Sequence, residues 1–424
     1  MGIREEDAVL RYADKHKEEL FDVLSRLVKI NTENYGTHCN EAEGQAFIRE
    51  WCERKGFEYE IYCPDSVEGI KNHPEYLAGR GTDKRPNLTC TYKKGKGLML
   101  AAHMDTVLIG ERSAWSVDPL GGTVKDGKLF GRGAGDDKCG IAVSMFAFQA
   151  LQDLGIQIDK PLAFTSYVDE EDGGGDGALA TCLKYPAETY VNLDGGNYEI
   201  WTAGLGGCVY NLKLSLGHPT DNAATVFDGL YIVKEGLKEF AAARRRELHE
   251  NPLYRGTDME GSAFRFIGMQ VGKGHVGAGS GELSFVIYTD KSQKEVEAQL
   301  SAALENVRGI LEKKDLHLAD FVRTSRFFHY APSKDTYGAI AELHRAAEQV
   351  SGKKVRQTGA CLSDLSVFLA AGSESSFNFG IFRDFSVYGG AHQADEYVEC
   401  EQLLWEAKAL LLFIVRHCRG TGAA

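Results

Sequence analysis

The segments 98-LMLAAHMDTVLIG-110 and 131-GRGAGDDKCGI-141 decide how this chain folds. Leu98, Met99, Leu100, Ala101 and Ala102 form a continuous apolar run, the pattern of a strand buried on both faces. His103 and Asp105 follow, with Met104 between them. Residues i and i+2 of a strand point to the same face. Both side chains therefore emerge together at the C-terminal end, the edge where open α/β sheets gather their ligands. The glycine-rich turn 131–135 then delivers Asp136 and Asp137, and 140–150 reads as a buried helix. An imidazole, a carboxylate behind it and a second carboxylate from a tight turn suit a divalent metal.

Outward from this stretch the pattern repeats. Strand 162–168 ends in Asp169-Glu170-Glu171-Asp172, and strand 189–193 ends at Asp194. Three strands ending in acidic turns place carboxylates on one sheet edge. Upstream, 7–27 is predicted as one entry helix, 41–55 as a second helix, and 57–62 and 88–92 as strands. The polar, Gly- and Pro-containing stretch 63–87 reads as a surface loop from which no chemistry is expected. Between 205 and 320 the rhythm changes to strand 209–216, helix 223–247, strands 263–272 and 282–288, helix 294–311 and strand 319–328. That β-α-β-β-α-β order is the one of a ferredoxin-like split unit. The predicted fold is α/β: a mixed-sheet domain made of 1–204 and 326–424, interrupted by an inserted ferredoxin-like domain over 205–325. Helix 338–350, strand 376–381 and helix 400–417 complete the first domain.

Bulk properties narrow the function. A formal charge of -13 over 424 residues argues against nucleic acid or anionic membrane as partner. No apolar run is long enough to span a bilayer, and the acidic, charged N-terminus is not that of a signal peptide. Ten cysteines without a C-x-x-C pair suit reduced thiols in a cytoplasmic protein and make poor metal ligands. The glycines of 131–135 and 173–175 lack the G-x-x-x-x-G-K-[ST] phosphate signature and read as turns that aim acids. His16, His38, His73, His249, His317, His344 and His417 lie on polar stretches and are expected to be solvated.

His103-Met104-Asp105, Gly131 to Asp136 with Lys138, Asp169-Glu170-Glu171, Asp194, and Ala391-His392-Gln393-Ala394-Asp395-Glu396 resemble, in order and spacing, the motifs of the M20 metallopeptidase family. That family includes carboxypeptidase G2, peptidase T, aminoacylases and succinyl-diaminopimelate desuccinylases. The resemblance covers nearly the whole chain. It implies a metallohydrolase domain with one or two divalent ions (manganese, zinc or cobalt), and an inserted domain serving as lid and homodimer contact. One metal would be held by His103 and Asp194, the other by Glu171 and His392, with Asp136 bridging both. Asp105 would orient the His103 ring, and Glu170 would act as general base.

Departures from the family pattern bear on substrate. The segment 216–223 is compressed, and His218 and Asn222 are candidates to contact the scissile group or a substrate carboxylate; His218 also reads as a turn residue before Pro219. Val286-Ile287-Tyr288 stands where the family has Asp-x-Arg. Arg383 is then a candidate carboxylate clamp or a surface ion pair, with Tyr388 as aromatic surface and Ser363 in the substrate loop 359–364. The expectation is a hydrolase that cleaves a C–N bond of a small, carboxylate-bearing, aromatic substrate. The specific reaction suggested by a deaminating relative is conversion of 5-nitroanthranilate to 5-nitrosalicylate and ammonia. Alternatives are a conventional aminopeptidase, dipeptidase or N-acyl-amino-acid hydrolase, and a non-catalytic binding protein on the same fold.

Overall fold

The computed structural model describes residues 2–218, 223–272, 279–381 and 387–419. The chain divides into two compact units, one made of Met1–Thr202 with Pro332–Ala424, the other of Ala203–Ala331.

The first unit is built on an eight-stranded mixed sheet. Its spatial order is Glu58–Tyr62, Asn87–Lys93, Leu162–Tyr167, Leu98–His103, Thr189–Asn192, Phe377–Phe379, Ile200–Trp201 and Gln357–Thr358. The apolar run 98–103 is buried along its whole length. It pairs in parallel with Leu162–Tyr167 on one side and Thr189–Asn192 on the other. The register sets His103 against Tyr167 and Ala101 against Asn192. The three acid-bearing turns therefore leave the sheet at nearly one level, so strand register brings His103, Glu170, Glu171 and Asp194 to one edge.

Helix Lys138–Asp153 packs on this sheet with most of its side chains buried. The closing helix Cys400–His417 is buried on nearly every side as well. One large apolar core joins both to the entry helices. Where one entry helix is expected there are two, Gly2–Lys15 and Lys17–Val28. They divide at His16, whose ring stacks on Tyr12 and whose Nδ1 lies 2.6 Å from Glu19.

The second unit runs strand Gly206–Leu216, helices Ala223–Gly236 and Lys238–Glu250, strands Phe264–Val271 and Ser280–Thr289, helix Gln293–Glu312 and strand Leu316–Leu318. Its sheet places Phe264–Val271 at one edge, then Ser280–Thr289, Gly206–Leu216 and Leu316–Leu318, all antiparallel. The single helix expected over 223–247 is broken at Gly236, where a Cβ would fall 2.1 Å from a Val307 methyl. The strand expected over 319–328 is not formed as one element; short pairings at Leu316–Leu318 and Val322–Arg323 replace it. Ser292 and Glu295 form a full capping box on helix Gln293–Glu312.

All ten cysteines are free. Among the described residues no helix is long and apolar enough to cross a membrane.

His417 is not solvated as expected. It is 9% exposed at the end of a buried helix, with its ring 5.2 Å from that of Phe413. Burial, aided by the Lys160 charge, pushes its pKa down to about 4. The unfolded chain takes up this proton near pH 6.5, the folded chain only near 4. Stability linked to His417 is therefore complete above about pH 6.5 and is lost as pH falls toward 4, by at most about 1.4 kcal/mol per pH unit. Urea unfolding at pH 7 and pH 5 should show this slope, and His417→Phe should flatten it.

Candidate metal centre

Asp136 stands between two imidazoles. Its Oδ1 lies 2.9 Å from His103 Nε2 and its Oδ2 2.9 Å from His392 Nε2. On the first side Asp194 Oδ1 is 3.7 Å from His103 Nε2; on the second, Glu171 Oε1 is 3.3 Å from His392 Nε2. Donor atoms of Asp136, Glu171 and His392 all lie within 4.8 Å of one another, as do those of His103, Glu170 and Glu171, and those of His103, Asp137 and Asp194. In the last group, Asp137 already accepts from the His103 N–H at 3.3 Å and from Cys139 Sγ at 3.7 Å. The sheet edge thus gathers His103, Asp136, Glu170, Glu171 and Asp194 as buried residues, with His392 about one third exposed on the remaining side.

Local sequence explains each placement. Gly133 adopts φ +82° in the turn that turns Asp136 inward. Gly174 is required behind the second turn, because a Cβ there would sit 2.0 Å from the Asp169 carbonyl oxygen. Lys138, the cation of the glycine-rich motif, is buried and donates to the Ile30 carbonyl at 2.7 Å.

The electrostatics describe a centre short of positive charge. Burial pushes the Glu170 carboxyl well above the usual carboxylate range; His103 opposes this, while the charges of Glu171, Asp364 and Asp136 add to it. Burial favours a neutral His103 ring, but its bond to Asp136 and the charges of Glu170, Asp136 and Asp105 outweigh it and hold the ring well above its ordinary value. His392 is raised in the same way: burial opposes the charged ring, and Glu171 and Asp136 override it. Buried carboxylates need counter-charge. A donor set of carboxylate oxygen and imidazole nitrogen at these separations fits divalent metal ions.

Asp105 meets the His103 ring through its backbone. The His103 Nδ1 is 2.8 Å from the Asp105 carbonyl oxygen, whereas the carboxylate is 3.7 Å away. That carboxylate instead accepts from the backbone N–H groups of Glu170 and Glu171, at 3.2 and 3.0 Å, and from Asn34 Nδ2 at 2.7 Å. It holds the second donor turn.

The proposed substrate residues are less concentrated. Ser363 is buried, and its hydroxyl accepts from Asn378 Nδ2, which also donates to the Asp194 carbonyl at 2.8 Å. It buttresses a donor strand. Tyr388 is 69% exposed, with its hydroxyl bonded to Asp395 at 2.5 Å. His218 belongs to the other unit, exposed on a turn with Nδ1 2.9 Å from Asp315. Asn222 and Arg383 lie outside the described residues.

The sequence reading also missed several residues. Arg132 and Glu396 form a buried pair, and Glu396 accepts from the Gly135 N–H at 2.9 Å, tying the Asp136 turn to the His392 turn. Asn34, Arg80 and Arg85 stand behind Asp105 and Asp169. The only sequence signal for the two arginines is charge within the polar stretch 63–87, and Asn34 carries none.

A mixed α/β sheet with buried carboxylates and an imidazole at its parallel-strand ends is an architecture suited to binding metal at that edge. The model of Peptidase family M20/M25/M40 matches residues 99–416, and the chain belongs to that family. A similar relative is the N-formyl-4-amino-5-aminomethyl-2-methylpyrimidine deformylase of Halalkalibacterium halodurans, 31% identical over 205 residues, 48% of this chain and 44% of that one. A succinyl-diaminopimelate desuccinylase of Bradyrhizobium diazoefficiens is 41% identical over 137 residues, 30% of this chain and 34% of that one. The matches thus span less than half the length of these curated relatives. Among solved structures, a di-peptidase of Saccharomyces cerevisiae aligns with TM-score 0.74 at 13% identity, covering 98% of this chain and 99% of its own. Human carnosine dipeptidase 1 aligns at 0.71 and 16% identity, covering 97% and 99%. Both show the shared fold.

Because both histidines contact the same carboxylate, Asp136→Asn should weaken two metal equivalents together. Elemental analysis after dialysis against limiting metal should show both depleted; full retention of either contradicts a shared ligand.

Proposed function

We propose that this chain is a metal-dependent hydrolase that cleaves a C–N bond in a small, carboxylate-bearing substrate. The observation that carries the reading is the Asp136 carboxylate set between His103 and His392, with Asp194 and Glu171 beyond them. Those five residues would hold the ions. When bound, a divalent pair supplies Lewis acidity, acidifying water and polarising the scissile group. Glu170 is the general base in this reading. It is buried beside the donors, its backbone is fixed by Asp105, and its carboxylate takes a proton from water and returns it to the leaving nitrogen. Family membership, with relatives named as a deformylase, a desuccinylase and dipeptidases, supports C–N hydrolysis as the reaction class.

A conventional amide or peptide substrate fits this reading. The second reading is hydrolytic deamination of 5-nitroanthranilate, favoured by Val286-Ile287-Tyr288 on the inserted unit's strand, where Tyr288 accepts a hydrogen bond from Arg265 at 2.7 Å. Glu170→Gln should keep both metals and lose turnover by about 10²–10⁴-fold. The assay follows ammonia release from 5-nitroanthranilate beside a panel of dipeptides, N-formyl and N-succinyl amines. Ammonia with loss of the aryl amine selects deamination, and turnover of the panel alone selects amide hydrolysis. A glutamine variant with wild-type rates removes Glu170 from its role.

The partner proposed for the inserted unit is a second copy of the chain. Strand Phe264–Val271 is paired on one side only and exposes Ile267 and Met269 by 54% and 57%. An apolar edge strand of this kind is covered when its twin pairs antiparallel across a two-fold axis. Light scattering should give a dimer for the native chain and a monomer for Ile267→Lys/Met269→Lys. A native monomer at micromolar concentration overturns this assignment.

A further inference from the structure

Outside the donor set, a group of buried charges lies behind the turn 169–172, and its cations come from the loop 63–87. Arg85 is 1% exposed. Its guanidinium bonds Glu41 through Nε at 2.8 Å and Asp169 through Nη1 at 2.8 Å, and lies 3.8 Å from Asp105. Arg80 donates through Nε to the same Asp169 oxygen at 2.9 Å and through Nη2 to the Glu171 carbonyl at 3.0 Å. Asn34 donates to that carbonyl at 3.2 Å, while the Glu171 N–H is held by Asp105. The backbone of Glu171 is therefore gripped from both sides.

The turn needs this grip. Asp169 and Asp172 flank the two glutamates at φ +65° and +61°, a left-handed conformation uncommon for residues other than glycine. The loop delivering the arginines is itself anchored. Asp65 accepts from Thr82 Oγ1 at 2.7 Å, and Asp176, at the start of the next helix, accepts from the Leu77 N–H at 3.0 Å. Gly81, between the arginines, leaves no room for a Cβ, which would meet the Thr37 carbonyl oxygen at 2.1 Å.

We infer that Arg80 and Arg85 are positioning residues of the metal centre, and that loop 63–87 serves to aim the Glu170–Glu171 turn. The inference rests on the assignment of Glu171 as a metal donor given above. Arg80 is the better probe, because its side chain is 11% exposed and its loss strands less buried charge than loss of Arg85.

The test is titration of chelator-stripped, full-length protein with Co²⁺, followed by visible absorption and by calorimetry, in the native chain, Arg80→Met, Arg80→Lys and Glu171→Gln. Glu171→Gln identifies the metal equivalent that depends on that donor. Arg80→Met should weaken the same equivalent by about 10–100-fold, the usual effect of removing a group that orients a ligand, and leave the other within about twofold. Arg80→Lys, which keeps the charge and loses the fork, should fall between the two, and it carries the test alone if the methionine variant does not fold. A general structural defect would lower both equivalents alike, so equal weakening overturns the inference. Wild-type affinity for both equivalents in the Arg80 variants, with one lost in Glu171→Gln, also overturns it. Two intact equivalents in Glu171→Gln instead overturn the donor assignment, and the inference with it.

Discussion

Like charge gathered in a dry place is the constraint on which the first unit turns. Asp136, Glu170, Glu171 and Asp194 are all buried at one sheet edge. Carboxylates so placed repel one another and lose hydration. The chain answers in two layers. Facing the centre, His103 and His392 share the Asp136 carboxylate, and the remaining deficit is what divalent ions match. Behind the centre, Arg80, Arg85 and Arg132 each pair with an acid that does not face it: Asp169, Glu41 and Glu396. The outer layer fixes geometry without spending the carboxylates of the inner layer, because its ion pairs fall on other acids and Arg80 reaches Glu171 only through the backbone carbonyl.

This division explains the double duty of Asp105. A side chain at i+2 from His103 is well placed to steady its ring, and the expected contact was carboxylate to imidazole. The backbone does that work instead, through the Asp105 carbonyl at 2.8 Å, and the freed carboxylate spans to the next strand end. One residue thereby joins the ligand on one strand to the turn after its parallel neighbour. Sequence spacing identifies the face on which Asp105 lies; it carries no information on which of its oxygens meets which partner.

The same limit runs through the rest of the molecule. Strand 98–103, its parallel neighbours, the helices after them and the positions of the acids were legible because each rests on local periodicity or on a short motif. Elements broken by tertiary contact were not. Helix 223–247 divides where Gly236 meets Val307, a residue far away in sequence. Composition marks 63–87 as a surface loop, since two arginines among glycines and prolines look solvated until their carboxylate partners, on Glu41, Asp105 and Asp169, are known. His417 shows the reverse error: a polar flanking sequence concealed a ring packed at the end of a buried helix.

The donors are also divided along the chain, with His103 to Asp194 before the inserted unit and His392 after it. This separation is tolerable because the insertion begins and ends at one point. The chain leaves the first unit at Thr202, and on return the Ser333 N–H donates to the Thr202 carbonyl at 2.8 Å. Strand Phe377–Phe379 then pairs in parallel with Thr189–Asn192, and Glu396 grips the Gly135 N–H. Closure at the neck, pairing in the sheet and the Arg132–Glu396 pair tie the returning chain to the turn that carries Asp136. An insertion held in this way can vary in length and composition with little consequence for the donor edge. The residues gathered at that edge all lie in the first unit, and Val286-Ile287-Tyr288 lies in the inserted one. A neck closed in this way confines change in the inserted unit to that unit, away from the sheet edge that carries His103, Asp136 and Asp194.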